Sequence, residues 1–73
     1  SMAFENYAST LDILFNSNYQ QAGPAALKRI MKNHLDREHD IVGGADYVID
    51  KWRENRLKFE SDEPLAVKAL EML

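Results

Sequence analysis

The chain has 73 residues, of which 45% are hydrophobic and 29% are charged, with a formal net charge of −3 and no cysteine. This length allows one small domain with a thin core, and the apolar content excludes a disordered chain. The lack of cysteine excludes disulfides, thiolate metal sites and thiol catalysis, and no apolar run is long enough to predict a membrane span.

Apolar periodicity predicts a first helix over about residues 4–17. The stripe recurs every three or four residues and consists of Phe4, Tyr7, Ala8, Leu11, Leu14 and Phe15. Ile13 falls on the opposite side of this helix. The polar run of residues 16–21 ends the pattern, and Gly23 with Pro24 begins the next helix, because proline is tolerated in a first turn.

A second helix is predicted over about residues 24–41. Its residues on one stripe are Leu27, Ile30, Met31, His34, Leu35, Glu38, Ile41 and Val42. Gly43 and Gly44 end the helix. Alternatively, the helix ends a few residues sooner, and Ile41 and Val42 fill the core from a loop.

The third predicted helix spans about residues 45–59. Its inner face carries Ala45, Val48, Ile49, Trp52 and Phe59, with Arg56 at the centre. We expect Trp52 to lie in the middle of the core, because it is the largest apolar side chain of the sequence. The acidic residues Asp46, Asp50 and Glu54 recur every four residues on the other face, where we expect them to meet solvent.

A last short helix is predicted over about residues 63–73, and the cap-like run Ser61-Asp62-Glu63-Pro64 marks its start. Apolar residues occupy most of its circumference: Leu65, Ala66, Val67, Ala69, Leu70, Met72 and Leu73. Such a helix needs cover on more than one side. The sequence therefore predicts an all-α fold, a small compact bundle of three to four short helices.

Patterns for catalysis or metal binding are weak. His34 shares a stripe with Glu38 one turn further on, but two ligands do not make a metal site. His39 lies about 140° from His34 on an ideal helix, so we expect the two imidazoles to point apart. We predict that the protein is not an enzyme and that it binds no metal, cofactor or small molecule.

The run Trp52-Arg53-Glu54-Asn55-Arg56 resembles the W-F-x-N-R core of the homeodomain recognition helix. The resemblance covers residues 52–58, with identity at Trp52, Asn55 and Arg56. It implies that Trp52 lies in the core and that Asn55 faces a DNA base. Arg53 stands where that family has a core phenylalanine.

This resemblance supplies the alternative function, a small DNA-binding regulator that uses helix three. Lys51, Asn55 and Lys58 would lie on the reading face, with Arg53 beside it. Leu57 stands where the homeodomain family has a phosphate-binding arginine, and the basic N-terminal arm of that family is missing.

The surplus of apolar residues predicts the main function. We expect a protein-interaction module, an adaptor, regulator or inhibitor, that binds another protein or a second copy of itself through an apolar face near helices one and four. The expected anchors are Ile13, Leu57, Leu65, Leu70, Met72 and Leu73, with Tyr7 and Tyr19 at the rim. Two alternatives remain: these side chains pack against one another and close the core, or the chain is part of a longer one and its last helix lacks a neighbour.

The start of the chain gives two further expectations. Ser1 before Met2 is typical of the remnant of a cleaved expression tag, so we take residues 2–73 as a single helical domain. No signal peptide is visible, and we therefore expect a cytoplasmic location with no membrane partner.

Overall fold

A computed structural model of the chain describes residues 4–39, 41, 43–59 and 62–73. Within these ranges the regular secondary structure is entirely helical, which confirms the predicted all-α bundle. The four helices are α1 (Phe4–Asn18), α2 (Pro24–His39), α3 (Ala45–Phe59) and α4 (Pro64–Met72). The Cα radius of gyration is 11.5 Å, close to the roughly 11 Å expected for a compact domain of this length.

Side-chain and backbone hydrogen bonds explain where α1 ends and α2 begins. Asn18 donates its side-chain amide to the carbonyl of Leu14 at 2.7 Å, and its own carbonyl, the last of α1, accepts from the N–H of Ala22 at 2.9 Å. The N–H of Leu27 donates to the carbonyl of Gly23 at 2.9 Å, so α2 starts there as predicted. Pro24 occupies the first turn, where its missing N–H costs no helical bond.

The end of α2 follows the earlier of the two predicted stops. The helix ends at His39, and Ile41 lies beyond it with its side chain packed against the core. The N–H of Ile41 donates to the carbonyl of Leu35 at 3.0 Å. Val42 lies outside the described residues. Gly43 then turns the chain toward α3 with a φ of +85°, a conformation that L side chains rarely adopt.

Every helix contributes to one core. Its buried members are Leu11, Phe15, Leu27, Met31, Leu35, Ala45, Ile49, Trp52, Ala66 and Leu70. The rings of Phe15 and Trp52 meet with their centroids 5.5 Å apart. The expectation that Trp52 lies in the core is confirmed, and the aromatic pair joins α1 to α3.

A carboxylate on α1 explains why an arginine lies at the centre of the inner face of α3. Arg56 donates to Asp12 at 2.8 Å and to the side chain of Asn16 at 2.8 Å. The indole nitrogen of Trp52 donates to the same Asp12 oxygen at 2.9 Å. The guanidinium of Arg56 also lies 5.1 Å from the centre of the Phe15 ring. The arginine charge is thus paired and stacked where two helices meet.

The last helix packs against α3 and begins at a side-chain cap. Glu63 is the N-cap, and its carboxylate accepts a hydrogen bond from the N–H of Leu65 at 3.1 Å. Ser61, which the sequence pattern includes in the cap, lies outside the described residues. In the part of the chain that is described, no helix has the length and apolarity needed to cross a membrane.

Candidate functional site

A shallow apolar groove lies between α4 and the connection from α1 to α2, and we call it the α4 groove. Its lining residues are Tyr19, Ala22, Pro24, Leu27, Leu65, Lys68, Ala69 and Met72. The groove has a volume of about 160 Å³. An apolar cavity of about 150 Å³ accepts a benzene molecule, so the α4 groove has room for one bulky side chain.

The periodicity of α4 leaves one flank of the helix uncovered. Ala66 and Leu70 point into the core. Leu65 and Met72, seven residues apart, lie on the same flank two turns from one another. Leu65 is 62% exposed and Met72 is 56% exposed. Ala69 lies between them, and its small side chain leaves the groove open.

The opposite wall of the groove is anchored to the core. The ring of Tyr19 stacks on Phe15, with centroids 4.9 Å apart and planes 5° from parallel. The N–H of Ala22 donates to the carbonyl of Asn18 at 2.9 Å, which holds the connection against the end of α1. Leu27, which is fully buried, supports the groove from below. This wall is therefore fixed by packing and hydrogen bonding.

The charged residue in the lining of the α4 groove is a lysine. Lys68 lines the groove, and no carboxylate among the described residues forms a salt bridge with it. Lys28 lies at the end of α4, where its Nζ donates to the carbonyl of Leu73 at 3.4 Å and lies 3.7 Å from Asp46. Glu71, the other charged residue of α4, does not line the groove.

The predicted anchors do not share one face. Leu65 and Met72 line the α4 groove together with the predicted rim residue Tyr19. Leu57 and Leu73 are half-buried and pack against the core. These four leucine and methionine side chains therefore divide into an exposed pair and a packed pair.

Three other predicted contact residues lie away from the groove. The prediction that Leu70 is an anchor is wrong: Leu70 is 0% exposed, and a side chain inside the core cannot touch a partner. Ile13 is 65% exposed on α1 but does not line the α4 groove. Tyr7 packs against the core and meets His39 edge to face.

A second groove runs along the outer face of α3, and we call it the α3 surface. Its lining residues are Phe4, Tyr47, Lys51, Glu54, Asn55 and Lys58. Three of the four residues predicted to contact DNA, Lys51, Asn55 and Lys58, therefore share one groove. The ammonium of Lys51 lies 5.9 Å from the centre of the Tyr47 ring. Arg53 does not line this groove, and its Nε is buried with no hydrogen-bond partner among the described residues.

The acidic row of α3 is exposed, as the sequence pattern predicts. Asp46 is shared by two lysines of α2, with Oδ1 3.7 Å from Lys28 Nζ and 3.4 Å from Lys32 Nζ. These pairs link α2 to α3. Asp50 and Glu54 are exposed, and Glu54 lines the α3 surface together with Lys51 and Lys58.

The two histidines of α2 lie closer together than an ideal helix predicts. The ring centroids of His34 and His39 are 5.6 Å apart, and the ring of Tyr7 lies 5.2 Å from that of His39. His39 is the last residue of α2, and its ring lies against Tyr7 of α1, so the Cβ directions of a continuing helix do not describe it. Within the described ranges, no group of three or more histidine and acidic side chains is arranged to hold a metal ion.

Comparison with known proteins gives no relative for this chain. No protein-family model, no curated protein and no solved structure matches it.

Proposed function

We propose that the protein is a non-enzymatic interaction module whose α4 groove docks on a partner protein. The observation that supports this most directly is the exposure of Leu65 and Met72 on one flank of α4 beside an apolar groove. Covering two such side chains stabilises a complex by about 1–2 kcal/mol each, because each has already buried part of its surface. Exposed apolar side chains that line a groove are typical of contact sites.

A different protein fits the groove better than a second copy of the chain. In a two-fold pairing of α4 with α4, Leu65 of each copy would lie opposite Met72 of the other. The symmetry axis would then pass between positions 68 and 69, and the two Lys68 ammonium groups would meet on the same side of the interface. Two like charges brought together at an interface repel each other, so the pairing of two copies is disfavoured.

The second candidate function is DNA binding by the α3 surface. Its support is the placement of Lys51, Asn55 and Lys58 along one groove beside the ring of Tyr47. We rank this function second because Glu54 lines the same groove, and a carboxylate opposes the phosphates that dominate DNA affinity.

Capture from an extract of the organism that encodes the protein tests the proposal. The bait chain is compared with Leu65→Asp and with Ile13→Asp, which puts the same charge on a similarly exposed apolar position outside the groove. Circular dichroism verifies that all three chains are folded. We expect one protein to be captured by the original chain and by Ile13→Asp but lost with Leu65→Asp.

A captured protein is accepted as the partner only after direct titration has shown that it binds the chain. The purified protein is titrated against the same three chains by calorimetry, and Met72→Asp is added as a second variant of the groove. Equal binding of all four chains would contradict docking at the α4 groove. A dimer of the chain alone in sedimentation, abolished by Leu65→Asp, would replace the proposed partner by a second copy.

A further inference from the structure

We infer that the partner segment of the α4 groove is an acidic amphipathic helix. It places a bulky apolar side chain between Leu65 and Met72 and a carboxylate beside Lys68. This inference rests on the proposed function, because it names the occupant of the same groove.

The form of the groove favours a helix over an extended strand. Both walls are helices or a helix connection, so a strand finds no sheet edge to extend. Leu65 and Met72 are seven residues apart, which corresponds to about 10.5 Å along the α4 axis. A partner helix presents apolar side chains at i, i+4 and i+7 over the same length.

Two small side chains of the groove leave space for the central apolar side chain of the partner helix, its anchor. Ala22 on one wall and Ala69 on the other both line the groove. The groove volume of about 160 Å³ accepts one leucine or aromatic side chain. Leu65 and Met72 then cover this anchor from its two sides.

The charges at the groove favour an acidic segment. Lys68 lines the groove and has no carboxylate partner in the part of the chain that is described. Residues 19–23 of the opposite wall carry no charge. A basic segment would therefore be repelled by Lys68, the charged residue in the lining of the groove. The net charge of −3 opposes an acidic segment weakly, because salt screens charges more than about 8 Å away at physiological ionic strength.

Two synthetic peptides test this inference. Both have about 20 residues and leucines at i, i+4 and i+7, and the flanking positions carry glutamate in one peptide and lysine in the other. Each peptide is titrated into the isotopically labelled chain, and amide signals are followed by NMR. We expect the glutamate peptide to shift the signals of Leu65, Ala69 and Met72, and Lys68→Glu to weaken its binding about three- to tenfold.

A matched control separates a local effect from net charge. Lys58→Glu makes the same change of charge on the α3 surface and should leave the affinity of the glutamate peptide within about twofold. The lysine peptide should bind only Lys68→Glu. No binding of the glutamate peptide, or equal binding of both peptides, would overturn the inference.

The failure of this inference can be told apart from failure of the proposed function. If the captured partner is lost with Leu65→Asp but binds Lys68→Glu as tightly as the original chain, the groove docks a partner of another chemistry. If Leu65→Asp leaves that binding unchanged, the proposed function fails as well.

Discussion

The indole nitrogen of Trp52 on α3 donates a hydrogen bond to the carboxylate of Asp12 on α1, with 2.9 Å between the two atoms. The bond ties the largest aromatic side chain of the core to the surface of the neighbouring helix. Arg56 donates to the same carboxylate oxygen at 2.8 Å. One partly exposed aspartate thus fixes the register of two helices and satisfies two donors.

Replacement of Asp12 should destabilise the fold. Asp12→Ala removes the oxygen that accepts both bonds and leaves the Trp52 N–H without its partner, so we expect a loss of about 1–2 kcal/mol in the free energy of unfolding. Asp12→Asn retains one acceptor oxygen and should lose less. Urea denaturation followed by tryptophan fluorescence measures both. Asp50→Ala, at an exposed acidic position of α3, is the control and should change stability by less than about 0.5 kcal/mol.

Truncation of Leu70 should destabilise the fold far more than truncation of Leu65. Leu70→Ala empties a fully buried position and should cost about 2–5 kcal/mol, enough to unfold a large share of a domain this small. Leu65→Ala removes a mostly exposed side chain and should cost less than about 0.5 kcal/mol. Thermal melts followed by circular dichroism compare them. Similar melting temperatures for the two variants would contradict the described packing of α4.

Gly43 should be the glycine least tolerant of a side chain. Its φ of +85° is strained for any L residue, although a Cβ there would meet nothing within 4 Å. Gly43→Ala should therefore lower stability by about 1–2 kcal/mol, whereas Gly43→Asn should lose less because asparagine tolerates this region. Chemical denaturation of the two variants gives the comparison. Equal stability of Gly43→Ala and the original chain would exclude a left-handed turn before α3.

We expect the α3 surface to bind DNA weakly at most. If the second candidate function holds, Lys51→Glu should abolish binding to a short duplex at low salt, because one of the few available phosphate contacts is lost. Lys68→Glu, outside that surface, should change the affinity little. Fluorescence anisotropy with a labelled duplex measures both. Undetectable binding of the original chain at low salt would remove this candidate.

Helix positions could be predicted from the sequence because they depend on local signals. The stripe of α1, Pro24 at the start of α2 and the run around Pro64 each act within a few residues. The end of α2 is harder to predict, because the apolar stripe continues to residue 42. Ile41 completes the core from outside the helix, and periodicity alone does not separate these two cases.

Contacts between helices could not be predicted in the same way. The pairing of Asp12 with Trp52 joins positions 40 residues apart, and neither residue carries a local signal for it. Leu70 and Leu65 are the same residue type in the same apolar helix. Their burial differs because α3 covers one side of α4. An apolar surplus in α4 therefore predicted a contact surface but could not say which leucine belongs to it.

Site-specific crosslinking tests docking at the α4 groove most directly, since the chain has no cysteine of its own. Single-cysteine variants Leu65→Cys, Ile13→Cys and Tyr47→Cys receive a photoreactive label and are irradiated with the captured partner. We predict a covalent adduct of the partner from position 65 and none from position 13 on α1 or position 47 on the α3 surface. Adducts from position 13 or 47 with none from position 65 would contradict the account.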